Sequence, residues 1–448
     1  MKKKLSFLLS LFLLLGVFFS AVPVEAAGFH IDFPLNCQAA ELVNLDTGTV
    51  VYQKNADARR EPASLTKIMT FIVVSEQIKD LKGTQITVGK KILQELSGTG
   101  SSMSGIKVGD VATAYQLLNC MMVPSGNDAA LTLADYVGKG SLETFTSLMN
   151  AKAKALGCTN THFTNPHGLH DPNHYTSASD MAKITRCAMS LPYFVQICSQ
   201  TSYLYKPVSG PNSAKGVHLY TTNLLISKNS SYYYPYAKGI KTGHTDESGY
   251  CLVSTASDSH YSYLCVAMGA PSVDKNGKSV RERGEMKDSS NLYHWAFKSL
   301  ALKQIVSSDD SLAEVKLKYA WKQDKLLLKP QKNYSALLPK DVTAGSILVS
   351  KKIPDSVSAP VKKGQVVGTA TLSYANQPLA TINLVASESV ERSELLHTTD
   401  VIKSIFTSTW FLVIAAIIIL LVIIYIILAI IYNRRRKKLR RVKRYRRM

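Results

Sequence analysis

The sequence predicts an α+β fold: an antiparallel sheet flanked by helices, followed by a small all-β domain and a single C-terminal transmembrane helix. Three observations carry this expectation. Period-2 apolar segments sit at both ends of the stretch 39–302, with helical spacing between them. Beyond residue 305 apolar and polar residues alternate, punctuated by Gly, Pro and Asn. Trp410 to Tyr432 carries no charge, and as a helix it is long enough to cross a hydrocarbon core of about 30 Å.

Taken in order, the chain opens on three lysines, an uncharged apolar run from Leu5 to Val22, and the small residues Ala26 and Ala27. That is the pattern of a secretory signal, spanning residues 1–27. "AAELVNLDTGTVVYQKN" reads as two strands around the turn Asp46-Thr47-Gly48. Leu65, Ile68, Met69 and Ile72 follow Pro62 at helical spacing, so a buried helix is expected with Ser64 as its cap. "VATAYQLLNCMMV" and "DAALTLADYV" read as helices parted only by Pro124, Ser125, Gly126 and Asn127. "AKGIKTGHT", "GYCLVSTASD" and "HYSYLCVAMGA" read as consecutive antiparallel strands, and "DSSNLYHWAFKSLAL" as a closing helix. These elements define a first domain over 28–305, then a small β domain over 306–392. A short tether (393–404), the membrane helix (405–433) and a basic tail (434–448) complete the chain.

The formal net charge is +21, but eleven Lys and Arg lie between Arg434 and Arg447. Abutting an apolar span, they place the tail in the cytoplasm and the preceding domains outside, where contact with anionic lipid accounts for them better than nucleic acid does. Without tail and signal the exported part carries +8, which suits approach to an anionic polymer such as a cell wall. The seven cysteines (Cys37, Cys120, Cys158, Cys187, Cys198, Cys251 and Cys265) show no C-x-x-C spacing. Their odd number in so long a domain is no disulfide scaffold, and buried small apolar residues are expected.

The chemistry lies in three short motifs. In "EPASLTKIMT" Ser64 precedes Lys67 by three residues. A serine hydroxyl is a weak nucleophile until a neighbour takes its proton. A lysine one helical turn on can reach it, and the helix N-terminus favours a developing anion. That lysine is a base at neutral pH only if burial and a second cation push its pKa down. "PSGN", with Ser125 and Asn127, and "KTGHT", with Lys241, Thr242, Gly243 and His244, follow in order. Each triplet alone is common; the three together, at a helix start, an interhelix loop and a strand, are a specific signal.

Ser-x-x-Lys, Ser-x-Asn and Lys-Thr-Gly in this order resemble the motif set of penicillin-binding proteins and class A β-lactamases. "PASLTKIMT", "MMVPSGNDAA", "MNAKAKALG", "THFTNPHGLHDPNHYTSASDMAKI" and "GIKTGHT" resemble the low-molecular-mass D-alanyl-D-alanine carboxypeptidases, and "APVKKGQVVGTATL" resembles the small β domain that follows there. The likeness runs from Gln38 to Glu391 and implies a penicillin-binding/β-lactamase-like catalytic fold. It departs at the end, where relatives commonly carry an amphipathic surface helix and this chain a full span with a basic tail.

The resemblance implies a serine D,D-carboxypeptidase that removes the terminal D-alanine from peptidoglycan stem peptides, needs no cofactor or metal, and is acylated by β-lactam antibiotics. Ser64 would be the nucleophile, Lys67 its base, Ser125 a proton relay and Asn127 the group holding Lys67 and the substrate amide. Lys241 and Thr242 would bind the substrate carboxylate, Gly243 would admit its backbone, and the N–H groups of Ser64 and His244 would form an oxyanion hole. From "SVRERGEM", Arg281 or Arg283 is a further candidate for the carboxylate.

A β-lactamase needs a carboxylate base for deacylation, yet no Glu-x-x-Leu-Asn follows "SGN", and Glu143 precedes Thr-Phe-Thr-Ser. A Ser/Lys esterase has no need of Lys241, and an inactive wall-binding module would have lost a motif residue. His162, His167, His170 and His174 with Asp171 are dense enough for zinc, but loop histidines are usually hydrogen-bonded or solvated, and the resembling family loop carries no metal.

Overall fold

The computed structural model describes residues 29–445 except Lys275 and Asn376, so the expected signal over 1–27 lies outside the described residues. By contacts the chain divides into two units. The first runs through Lys303 and includes Ala336–Val342; the second holds Gln304–Ser335 and everything from Thr343.

The first unit is built on a five-stranded antiparallel sheet in the order Val50–Lys54, Ala39–Asn44, Ser262–Ala270, Gly249–Ser257, Ala237–Thr245. Both faces are covered, which the strand Ser262–Ala270 shows by strict alternation. Tyr263, Cys265 and Ala267 pack with Leu292, Tyr293 and Ala296 of the helix Gly284–Ser299. Leu264, Val266 and Met268 face the main core with Phe71, Ile72 and Phe194. The α+β arrangement read from the sequence is therefore the one observed. Its consequence for the site is positional: the strand carrying Lys241 to His244 lies at a sheet edge and packs against the turn that carries Ser64.

Local differences from the sequence reading have local causes. Ser64 does not cap a helix. It is the second residue of a 3₁₀ turn, Ala63–Thr66, entered from Pro62 without a side-chain cap, and the α-helix runs from Lys67 to Gln77. The segment "VAT", read as helix, is the strand Val111–Thr113 paired with Gln85–Thr87. Thr113 then forms a reciprocal capping box with Gln116 that starts the helix at Ala114. The closing helix begins four residues before its expected start, at Gly284 rather than Asp288, and Leu300 already opens a strand.

The second unit contains a six-stranded sheet. Ala313–Lys318 buries Ala313, Val315 and Leu317 and exposes Glu314, Lys316 and Lys318, the signature of a sheet with one dry face. After it, the stretch expected as a tether is an amphipathic helix, Glu394–Thr407, capped by the Ser393 side chain. Ser408 (ψ 140°) leaves helical geometry there. The last helix, Thr409–Tyr445, follows. Its portion Thr409–Arg436 is long and apolar enough to cross a membrane, and an 18-residue window of it has mean hydropathy 3.6.

Candidate active site

The turn Ala63–Thr66 sets the site. In a 3₁₀ turn side chains at i and i+3 eclipse, and Ser64 and Lys67 are so related at the junction of turn and helix. Lys67 Nζ donates to Ser64 Oγ at 2.8 Å, to Asn127 Oδ1 at 2.6 Å and to the His167 carbonyl at 2.9 Å. Its side chain is fully buried. Burial, then the charge of Lys241, holds the Lys67 pKa well below its ordinary value, against a smaller pull from Asp128. Lys241, also buried, is lowered to about 7 by desolvation. The three contacts match the three N–H of a charged amine; in the neutral form that these shifts favour, Lys67 keeps two N–H for Asn127 Oδ1 and the His167 carbonyl, and its lone pair accepts from the Ser64 hydroxyl and can take that proton.

Ser64, Ser125, Asn127, Thr242, Gly243 and His244 line one cavity of about 320 Å³. Two expected residues do not line it. Lys67 lies beneath Ser64, and Lys241 is turned into the protein, donating to the Thr242 carbonyl at 3.0 Å. Of the two candidate arginines, Arg283 lines the cavity and Arg281 does not. His244 stacks on Tyr250 with centroids 4.5 Å apart, and Arg283 lies 4.4 Å over the other partner of that stack, Tyr250.

Ser125 and Ala63 both adopt left-handed backbone, with φ of 67° and 46°. Each such non-glycine residue costs on the order of 1–3 kcal/mol and needs surrounding structure to hold it. Part of that structure is Asp128, fully buried after Asn127. It accepts from the backbone of Ser104, Gly105 and Ala129 and from Ser104 Oγ. The loop it anchors contributes Gly100, Ser101 and Ser102 to the cavity, and Ser102 O accepts from Asn127 N at 2.8 Å.

Two glycines press on the nucleophile's turn from separate segments. A Cβ on Gly168, which has φ 89°, would fall 1.8 Å from Ala63 O; one on Gly243 would fall 2.8 Å from Pro62 O and 3.2 Å from Ser64 N. Sequence reasoning found Gly243 through its motif and missed Gly168, His167, Asp128 and Thr222. Thr222 Oγ1 sits 2.5 Å from Thr242 Oγ1. The one available signal was Asp128, an acid in the first turn of a mostly apolar helix.

The histidines considered for zinc are engaged singly. His174 Nε2 meets Thr66 Oγ1 at 2.7 Å, His167 Nδ1 accepts from Leu169 N, and His162 Nδ1 meets Asn173 O. His170 pairs with Glu61, and with Glu247 these three bring donor atoms within 4.8 Å of one another at a partly exposed surface.

A sheet covered by helices, with a serine held against a buried lysine at its edge, defines a serine peptidase of the acyl-transfer type. The D-alanyl-D-alanine carboxypeptidase family matches residues 29–272, and the C-terminal domain of penicillin-binding protein 5 matches 301–392. The chain belongs to the D-alanyl-D-alanine carboxypeptidase family. It is 31% identical to the D-alanyl-D-alanine carboxypeptidase DacF of Bacillus subtilis over 395 residues, covering 88% of this chain and 96% of that one. With DacA of Escherichia coli it shares 29% over 388 residues, 84% and 89% of the two chains. Among solved structures, penicillin-binding protein 5 of Haemophilus influenzae is similar at 26% identity and a TM-score of 0.61, covering 81% of this chain and all of that one. The DD-transpeptidase of Streptomyces K15 is similar at 30% identity and a TM-score of 0.54, covering 60% of this chain and 100% of that one.

Proposed function

We propose that the chain removes the terminal D-alanine from peptidoglycan stem peptides through an acyl-enzyme on Ser64. The observation that carries the assignment of roles is Lys67, buried between Ser64 Oγ, Asn127 Oδ1 and His167 O with its pKa held low. Neutral Lys67 takes the Ser64 proton as Oγ attacks the carbonyl carbon of the penultimate D-alanine. The oxyanion is received by the N–H groups of Ser64 and His244, where loss of one donor typically costs about 10²–10³ in rate. The proton passes through Ser125 to the leaving amine, the C–N bond breaks, and D-alanine departs. Water, deprotonated by Lys67, then hydrolyses the ester and restores Ser64.

Binding follows the same geometry. The substrate's terminal carboxylate is taken by Thr242 and Arg283, under the positive field of Lys241. Its backbone lies along the edge strand Ala237–Thr245 as an added strand, with Gly243 leaving room. β-Lactam antibiotics present a carboxylate and a strained amide in the same places and acylate Ser64. The reading requires no cofactor or metal.

The proposed organisation is a signal over 1–27, a catalytic domain over 28–305, a small β domain over 306–392 and a helical link over 393–404. A single span over 405–433 and a cytoplasmic tail over 434–448 complete it. The basic residues after the span support that orientation, with the catalytic domain outside the cell membrane.

The test is release of free D-alanine from an acyl-D-Ala-D-Ala peptide by the full chain in detergent, beside Ser64→Ala. Release that disappears in the variant supports both mechanism and substrate. Release by Ser64→Ala at the wild-type rate overturns the assignment. No release by a folded wild-type sample, with transfer to an added amine acceptor instead, replaces the hydrolase by a transpeptidase.

A further inference from the structure

Arg283 reaches the cavity from the start of the helix Gly284–Ser299, and its surroundings define how. Glu285, two residues on, is fully buried. One of its oxygens, Oε1, accepts from Arg283 Nε at 2.8 Å and lies 2.6 Å from Nη2. The other, Oε2, has no hydrogen-bond partner among the described residues. The guanidinium face rests on Tyr250 at 4.4 Å, and the Arg283 backbone N–H donates to Tyr232 Oη at 3.0 Å.

A guanidinium offers five N–H donors in a rigid fork. Glu285 occupies the Nε edge and Tyr250 one face. What remains is the Nη1/Nη2 end, the edge that grips a carboxylate in two parallel hydrogen bonds. An acid in the first turn of a helix is favourable by itself, but that effect needs no burial. Taking a carboxylate wholly out of water is expensive, and an ion pair returns that expense only partly. Burial keeps the Glu285 carboxyl above its ordinary pKa, and Arg283 opposes the shift. A long, flexible arginine on an exposed loop would instead lose rotamer freedom each time it bound.

We infer that Glu285 is a positioning residue: it fixes Arg283 so that the Nη1/Nη2 edge is presented to the substrate's terminal carboxylate before substrate arrives. The inference rests on the carboxypeptidase reading and deepens it. Because Tyr250 is shared between Arg283 and His244, the same contact ties the carboxylate subsite to the strand bearing the oxyanion-hole residue.

The experiment compares wild type, Glu285→Ala, Glu285→Gln, Arg283→Ala and the double Glu285→Ala/Arg283→Ala variant as full chains in detergent. Two peptides are used, acyl-D-Ala-D-Ala and acyl-D-Ala-D-alaninamide, the second without a terminal carboxylate. Loss of a charge-assisted contact raises KM for the acid peptide about tenfold in Glu285→Ala and Arg283→Ala, with kcat changed about twofold or less. On the amide, which has no carboxylate for that edge to grip, the same variants lose far less than on the acid, and the double variant is no worse on the acid than Arg283→Ala alone. Glu285→Gln keeps an acceptor at Oε1 and the shape of the side chain, so it gives a smaller rise in KM with an unchanged melting temperature. Equal losses on both peptides, or additive losses in the double variant, overturn the positioning role and leave Glu285 a structural residue. A wild type inactive on both peptides overturns the carboxypeptidase reading itself, and this inference with it.

Discussion

The two units handle charge in opposite ways. In the second, the sheet alternates, and its ionic groups stay in water: Lys325 and Glu314 pair across neighbouring strands with side chains 63% and 53% exposed. In the first, Lys67, Lys241, Asp128 and Glu285 are all at 1% exposure or less. Among the described residues, every buried charged side chain belongs to the first unit. A sheet domain can be stabilised by its apolar face alone; in the first unit some buried charges serve the site, as Lys67 does, and others hold the fold, as Asp288 does by accepting from Cys37 N and Asn36 Nδ2.

That contrast can be broken or sharpened by substitution. The largest effect is expected from Lys67→Met, which removes the amine hydrogen-bonded to Ser64 Oγ. Acylation by a labelled penicillin should slow by about 10³-fold or more, measured by time-resolved gel fluorescence; a variant acylated at the wild-type rate would remove Lys67 from the mechanism.

Lys241 comes next, because its effect depends on pH. Its pKa falls from the ordinary 10.5 to about 7 on folding. A depressed folded pKa means that stability is fully present above 10.5 and is lost as pH falls towards 7. Lys241→Met should therefore be more stable than wild type at neutral pH, on the order of 1–4 kcal/mol, by an advantage that shrinks as pH rises in denaturant titrations. The same variant should lose the alkaline limb of kcat/KM above pH about 7 for the acid peptide, since that limb reports loss of the Lys241 proton. A limb that persists would assign it elsewhere.

The smallest effect is expected in the second unit. Lys325→Ala breaks an exposed pair worth no more than about 1 kcal/mol. Thermal melting and D-alanine release should both be indistinguishable from wild type; a measurable loss of either would mean that charge in this unit matters in a way its exposure does not suggest.

Much of this was legible in the sequence because it is periodic or spaced. The strands at 237–270 stand out as apolar runs between turn residues, and the Ser64, Ser125 and Lys241 motifs occur in the order the site uses them. What sequence could not show is where backbone replaces side chain. The carbonyl of His167 accepts from Lys67 at 2.9 Å beside Asn127 Oδ1 at 2.6 Å, and a carbonyl has no residue code. The 3₁₀ turn at Ser64 was read as an α-helical start because both share the same apolar spacing over one turn. Lys241 was expected to touch the substrate carboxylate; in the structure its amine donates to the Thr242 carbonyl, and Thr242 rather than Lys241 lines the cavity.

The two glycines at Ser64's turn bear on how this protein can change. Positions 168 and 243 come from segments distant in sequence, yet each leaves less room than a methyl group beside residues 62–64. A population under selection to alter the nucleophile's neighbourhood meets a backbone clash at the first step in either place, because a Cβ there falls on the carbonyl of Ala63 or of Pro62 and the turn bearing Ser64 has to give way.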